Sequence, residues 1–394
     1  MSYYRFFFIM NAVAAIAVGL FFANLAWRAN GIFDQTGHVI GRDFANQWTA
    51  GRLHIAGRVD EVFDPTAFQA AQAELFGRPL PQHFWSYPPT ALFVAVPFGL
   101  FPYSWALAIW LASTAVLYWF AVLGPRWRPA PSLLLLTAPA CLVNMFFGQN
   151  GFLTAALLVG GFRLLDRAPI LAGVLFGLLA FKPHFGVLIP IALIALRHWI
   201  PFAGAAVTAA AMSLASIAVF GAEAWRGFFD LTLPFQLQAM QHGTGVFLNM
   251  MPSFFASGRI IGLDPAVNLG MQGLIAAFIA LLVYRRYRER PHNPETFALL
   301  LIGTVIATPQ AFNYDLTIVS AAIICLLLEG RKQIHDRSLR IALILAWIIP
   351  ITVPGFNANG LPVMPFVLLW LFLLLARSRP VHRQEQAADT VRRI

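Results

Sequence analysis

Acidic residues are scarce in this chain and unevenly placed. Asp and Glu together number 17 in 394 residues. Six of them, Asp34, Asp43, Asp60, Glu61, Asp64 and Glu74, fall between Trp27 and Pro89. This polar stretch follows FFFIMNAVAAIAVGLFFANLA at residues 6–26, a run long enough to cross a bilayer. Almost everything after it is apolar. A carboxylate-bearing loop between hydrophobic helices points to chemistry at a membrane surface.

The background is that of a polytopic membrane protein. Hydrophobic residues make up 59% and charged residues 11%, whereas about a quarter of an ordinary soluble domain is charged. The first apolar run lacks a small-residue cleavage site and more runs follow, so it reads as a signal anchor. The net charge of +10 fits positive-inside bias, and no soluble face remains to carry nucleic acid. Cys141 and Cys325 sit in apolar runs as small core residues. The nine histidines show no HxxxH or HExxH spacing, and the first loop has no Asp-x-Asp pair, so no metal or other cofactor is called for.

Basic residues recur at Arg5, Arg126 and Arg128, Arg163 and Arg167, Arg197, Arg285 to Arg290, Arg331 to Arg340, and in a basic tail over 377–394. With every cluster on the cytoplasmic side, the runs between them pair off as hairpins. The spans are then 6–26, 104–123, 132–147, 150–165, 169–181, 184–196, 200–220, 267–284, 297–308, 314–329, 340–354 and 361–376. The expectation is an all-α polytopic membrane protein with one transmembrane domain over 1–376 and about twelve crossings. Residues 88–101 are short, contain Pro97, and would invert every later loop if they crossed; they read as a half-span or re-entrant helix. The outer loops are 27–89, 148–150, 181–184, 221–266, 308–315 and 354–360. Within the first, 43–57 and 64–76 read as short juxtamembrane helices, the second capped by Asp64 before Pro65. Trp48, Phe63, Phe68 and Phe76 would rest these helices on the interface. There are no internal repeats.

DFANQWTAGRLHIAGRVDEVFD, FWSYPPTALFVAVPFGLFP with Trp110, GQNGFLTAALLVGG, AFKPHFGVLIP and ATPQAFNYD occur in this order. Together they resemble glycosyltransferase family 87 over most of residues 40–330. The resemblance implies a GT-C-type helical bundle. It also implies an inverting hexosyltransferase that moves mannose from a polyprenyl-phosphate donor to a lipid or glycan acceptor at the outer face. The family's catalytic acid falls on Asp43, and its form suggests a bacterial inner membrane with the site facing the periplasm.

Each residue has a competing reading. Asp43 is the general base, or a helix cap. Lys182 in FKPHF is a cation on a predicted outer face, suited to a donor phosphate, or a snorkelling span end. Arg259 and His184 are further phosphate candidates. Gln149 and Asn150 bind sugar hydroxyls or cap a helix, and Tyr87 stacks on a sugar or anchors at the interface. Asn313 and Tyr314 stand, with Asp315, where the family usually carries His, and would take over its contact. The rival from another class is a transporter or flippase of a lipid-linked sugar. Such proteins keep ionisable groups near mid-bilayer, whereas the acids here gather at one surface.

Overall fold

The computed structural model describes residues 3–27, 31–81, 84–329 and 336–377. The basic tail beyond residue 377, and Arg331 and Lys332, lie outside the described residues. Everything described is helix, turn or loop, apart from one isolated bridge between Phe33 and Val39.

The helices begin and end where the sequence punctuates them. Pro129, Pro139, Pro169, Pro183, Pro265 and Pro294 each occupy a first helical turn, where a missing N–H costs nothing. The juxtamembrane helices run Phe44–Ile55 and Pro65–Phe76. Asp64 caps the second by accepting from the Thr66 and Ala67 N–H groups at 2.8 and 3.1 Å. Their aromatic residues do not face the interface as expected. Trp48, Phe63, Phe68 and Phe76 are all buried in the protein, with Trp48 edge-on to Phe76 and Tyr103 at 5.3 and 5.5 Å. An apolar helix face reads alike in sequence whether lipid or protein covers it.

Among the described residues, three helices are by themselves long and apolar enough to cross a bilayer: Tyr103–Leu123, Trp199–Phe220 and Pro265–Glu289. A fourth candidate, Pro129–Leu136 with Pro139–Phe147, is bent by 54°. The other apolar helices run 10–17 residues, so the expected count of twelve is not met by single unbroken helices. Residues 89–99 form one short apolar helix. At 1.5 Å per residue it extends roughly 16 Å, about half a hydrocarbon core. It lies against Phe44–Ile55, and the chain then enters Tyr103–Leu123 close to where it began, with the Tyr103 hydroxyl on the Ile40 carbonyl at 2.7 Å.

The hairpin ends gather at two opposite poles. At one, Asp166 lies 3.9 Å from both His198 and His292, while Arg288 reaches the Ala195 carbonyl at 3.3 Å and Arg286 the Leu375 carbonyl at 3.1 Å. This is the basic pole. At the other, the turns at 148–150, 182 and 312–315 meet the first loop. Between the poles lies a continuous apolar core that includes Tyr118, Phe152, Leu299 and Phe372, all essentially inaccessible.

Candidate active site

The site is assembled by broken helix ends. Gly148 ends the helix Pro139–Phe147 in the left-handed conformation (φ 61°), and a Cβ there would lie 2.6 Å from that of Phe44. Gly151 opens the next helix, and a Cβ there would lie 2.5 Å from the Tyr314 carbonyl oxygen. Only glycine fits either place. Between them stand Gln149 and Asn150, pressed between the first loop and the 312–315 turn. Trp110 holds the turn from below, its indole N–H donating to the Gly148 carbonyl at 2.9 Å. Lys182 is turned toward the same region by Pro183, which pushes the residue before it out of helical geometry; its φ is −144°.

Asp43 enters from the other side. Its N–H donates to the Phe147 carbonyl at 3.0 Å, joining the start of Phe44–Ile55 to the Gly148 turn. Arg42 before it has φ 35°, a strained value for a residue with a side chain. Its guanidinium is held at 2.9 Å by Asp34 and lies 4.5 Å over the Phe146 ring. Burial opposes the Asp34 charge, but hydrogen bonds from Thr36 and His38 and the charge of Arg42 outweigh it, leaving the carboxyl below its ordinary pKa. Burial lowers the Arg42 pKa, against the pull of Asp34 and Asp43.

These parts meet in one polar cluster. Gln149 Nε2 donates to Asp43 Oδ2 at 2.9 Å. The Tyr87 hydroxyl donates to Gln149 Oε1 at 3.2 Å and accepts from Asn150 Nδ2 at 2.8 Å. Lys182 Nζ donates to Asn150 Oδ1 at 2.8 Å and to Asp315 Oδ1 at 2.6 Å. Asp315 Oδ2 accepts the Phe312 N–H at 3.1 Å. Burial, and then the Asp315 charge, push the Tyr87 phenol well above its usual pKa, so it keeps its proton. The Tyr314 ring stacks on Phe312 at 5.2 Å and lies 5.6 Å from Lys182 Nζ, forming a wall of the cluster.

Asp43, Tyr87, Gln149, Asn150, Lys182 and Tyr314 therefore come together. Three other sequence candidates stand apart from this hydrogen-bonded cluster. Arg259 donates to the Met240 carbonyl and, at 3.3 Å, to that of Gly243, clamping the end of the helix Leu233–His242. Asn313 ties its turn to the bundle, its N–H on the Met250 carbonyl at 2.9 Å and its amide on that of Pro350 at 3.5 Å. His184 Nε2 is buried with no hydrogen-bond partner. Asp315 is the residue that sequence reasoning underused. A buried Lys in apolar surroundings calls for a counter-charge, and Asp315 is the acid of the polar turn at 308–315. Among the described residues, no three His, Cys, Asp or Glu side chains gather closely enough to hold a metal ion.

Residues 85–309 match the family model of glycosyltransferase family 87. The match includes Tyr87, Gln149, Asn150 and Lys182 and begins after Asp43. Comparison with curated proteins and with solved structures gave no match. A family match over more than half of the chain, with four of the clustered side chains inside it, shows that this protein belongs to glycosyltransferase family 87.

Proposed function

We propose that the protein is an inverting hexosyltransferase that moves mannose from a polyprenyl-phosphate donor to a lipid or glycan acceptor. The observation that carries this reading is the polar cluster itself, with a carboxylate at one end and an ammonium at the other, inside an apolar bundle. Asp43 takes the proton of an acceptor hydroxyl as its oxygen attacks the anomeric carbon. The bond from that carbon to the phosphate oxygen breaks on the opposite face, and the leaving phosphate keeps the electron pair. Lys182 meets the charge developing there. Two of its three N–H donors are used, on Asn150 and Asp315. His184 Nε2, two residues on, is an orphan that a phosphate oxygen would satisfy. Arg259 is engaged instead at the end of the helix Leu233–His242.

Two cavities support the reading. One of about 600 Å³ lies between the helices Pro65–Phe76 and Leu233–His242, with Asp64, Gln69, Phe84, Phe235 and Gln238 in its walls. It carries no cation, which suits a neutral polyhydroxyl acceptor, and Phe84 is three residues from Tyr87. The other, about 500 Å³, is an apolar groove lined by Leu345, Leu361, Pro362, Phe366, Val367 and Trp370. It suits a prenyl chain.

In this reading the short helices complete about twelve crossings, because broken helices are tolerated where protein buries their ends. The cluster lies at the pole opposite the basic one, hence at the periplasmic face of a bacterial inner membrane. The test is to incubate the purified protein with a panel of polyprenyl-phosphate hexoses and a membrane lipid extract. Transfer of the hexose, mannose above the others, is expected. Translocation of the donor across vesicles without transfer would favour a flippase and overturn the proposal.

A further inference from the structure

The hydrogen bonds that lead from Lys182 to Asp43 all run one way. Lys182 can only donate, so Asn150 must present its oxygen to it. The Asn150 amide nitrogen then faces Tyr87, whose hydroxyl accepts from it and passes its own proton toward Gln149 Oε1. Gln149 is left with its nitrogen toward Asp43, which as a carboxylate can only accept. Amide orientations are ordinarily ambiguous. Here the two charged ends settle them, because reversing either amide would set donor against Lys182 or acceptor against Asp43. The backbone N–H of Asn150 adds to the same sense, donating to Gln149 Oε1 at 3.3 Å.

We propose that Asn150, Tyr87 and Gln149 form a one-directional relay that orients the Asp43 carboxylate from the Lys182 ammonium. The three are positioning residues in this role, and the inference rests on the reading above only for what Asp43 then does. Aligned donors polarise one another in a low-dielectric interior, so each bond strengthens the next. Tyr87 does not touch Asp43 in this chain of bonds, yet its hydroxyl anchors the far end of the Gln149 amide that does. A donor phosphate that draws on Lys182 would be felt at the base through these same bonds, linking the two substrates' subsites without movement of a helix.

The test removes one hydroxyl at a distance. In Tyr87→Phe, Gln149 Oε1 loses the hydroxyl that anchors it, so the amide is free to turn, which alters the hydrogen bond to Asp43. The Asp43 carboxylate stretch is read by difference infrared spectroscopy on protein labelled with carboxyl-13C aspartate, wild type against Asp43→Asn. The relay predicts that this band moves in Tyr87→Phe, and that kcat falls roughly tenfold, the equivalent of one hydrogen bond, with little change in donor KM. Asn150→Ala cuts the relay one step further away and must move the same band, so a misfolded Tyr87 variant leaves the proposal open to refutation. A band unchanged in the folded variants overturns the relay, whatever the activity. A band that moves in a wild-type background that transfers no sugar keeps the relay and removes the transferase reading instead.

Discussion

The Lys182 ammonium lies 2.6 Å from an Asp315 carboxylate oxygen, and both side chains are almost wholly inaccessible. The two residues are 133 positions apart and come from two different broken hairpins. Their pairing is the bolt that holds the 182 turn to the 312–315 turn. It also means that Lys182 does not wait as a lone cation.

Breaking this pair should be costly. Asp315→Asn leaves an uncompensated ammonium in the core, a loss of about 3–5 kcal/mol, seen as a lowered unfolding temperature in detergent. The double variant Lys182→Met with Asp315→Leu removes both charges and should recover much of that loss while transferring no sugar. A double variant as unstable as the single one would mean that the geometry of the pair, not its charge balance, supports the fold.

The Asp34–Arg42 bridge should carry an acid-sensitive share of stability. The Asp34 pKa is lower in the folded protein than its ordinary 3.8. Its contribution is therefore complete above that value and is lost as pH falls through the lower, folded value. Thermal unfolding followed from pH 6 down to pH 3 should show this loss. Asp34→Asn should flatten that acid dependence and, by releasing Arg42, reduce transfer activity.

The proposed orientation can be mapped by impermeant thiol labelling of intact cells. Cysteines replacing Asp60, His242 and Asn359, all exposed, should label from outside, and those replacing Arg128 and Arg288 should not. The native Cys141 and Cys325 are buried and contribute little background. Labelling at 128 or 288 from outside would reverse the assignment.

Helix boundaries were legible because Pro and Gly mark them. The run expected at 169–181 and the helix found there agree, as do 132–147 and the bent pair within 129–147. Length and basic-cluster parity suggested a half-span or re-entrant helix at 88–101, and a short apolar helix is found at 89–99. What hydropathy could not supply was partnership. It misplaced Trp48 and Phe68 at the interface because an apolar face does not name what covers it. It also gave Lys182 no partner, because Asp315 is joined to it by the fold alone. Asp43, Gln149, Asn150 and Lys182 were visible as polar residues at turns, but not as links in one chain of bonds.

The central claim is that Asp43 is the base. Its Oδ2 accepts from Gln149 at 2.9 Å, a bond that the Asn oxygen of Asp43→Asn can still accept. That variant keeps size and shape but cannot take up the acceptor's proton. The deciding measurement is the turnover of Asp43→Asn in the polyprenyl-phosphate hexose assay, beside Asp60→Asn and Glu74→Gln, two exposed acids of the same loop. The account predicts a loss of about two to four orders of magnitude for Asp43→Asn, with donor binding retained and both controls near wild type. Near-normal turnover in Asp43→Asn, or a comparable collapse in either control, would contradict it.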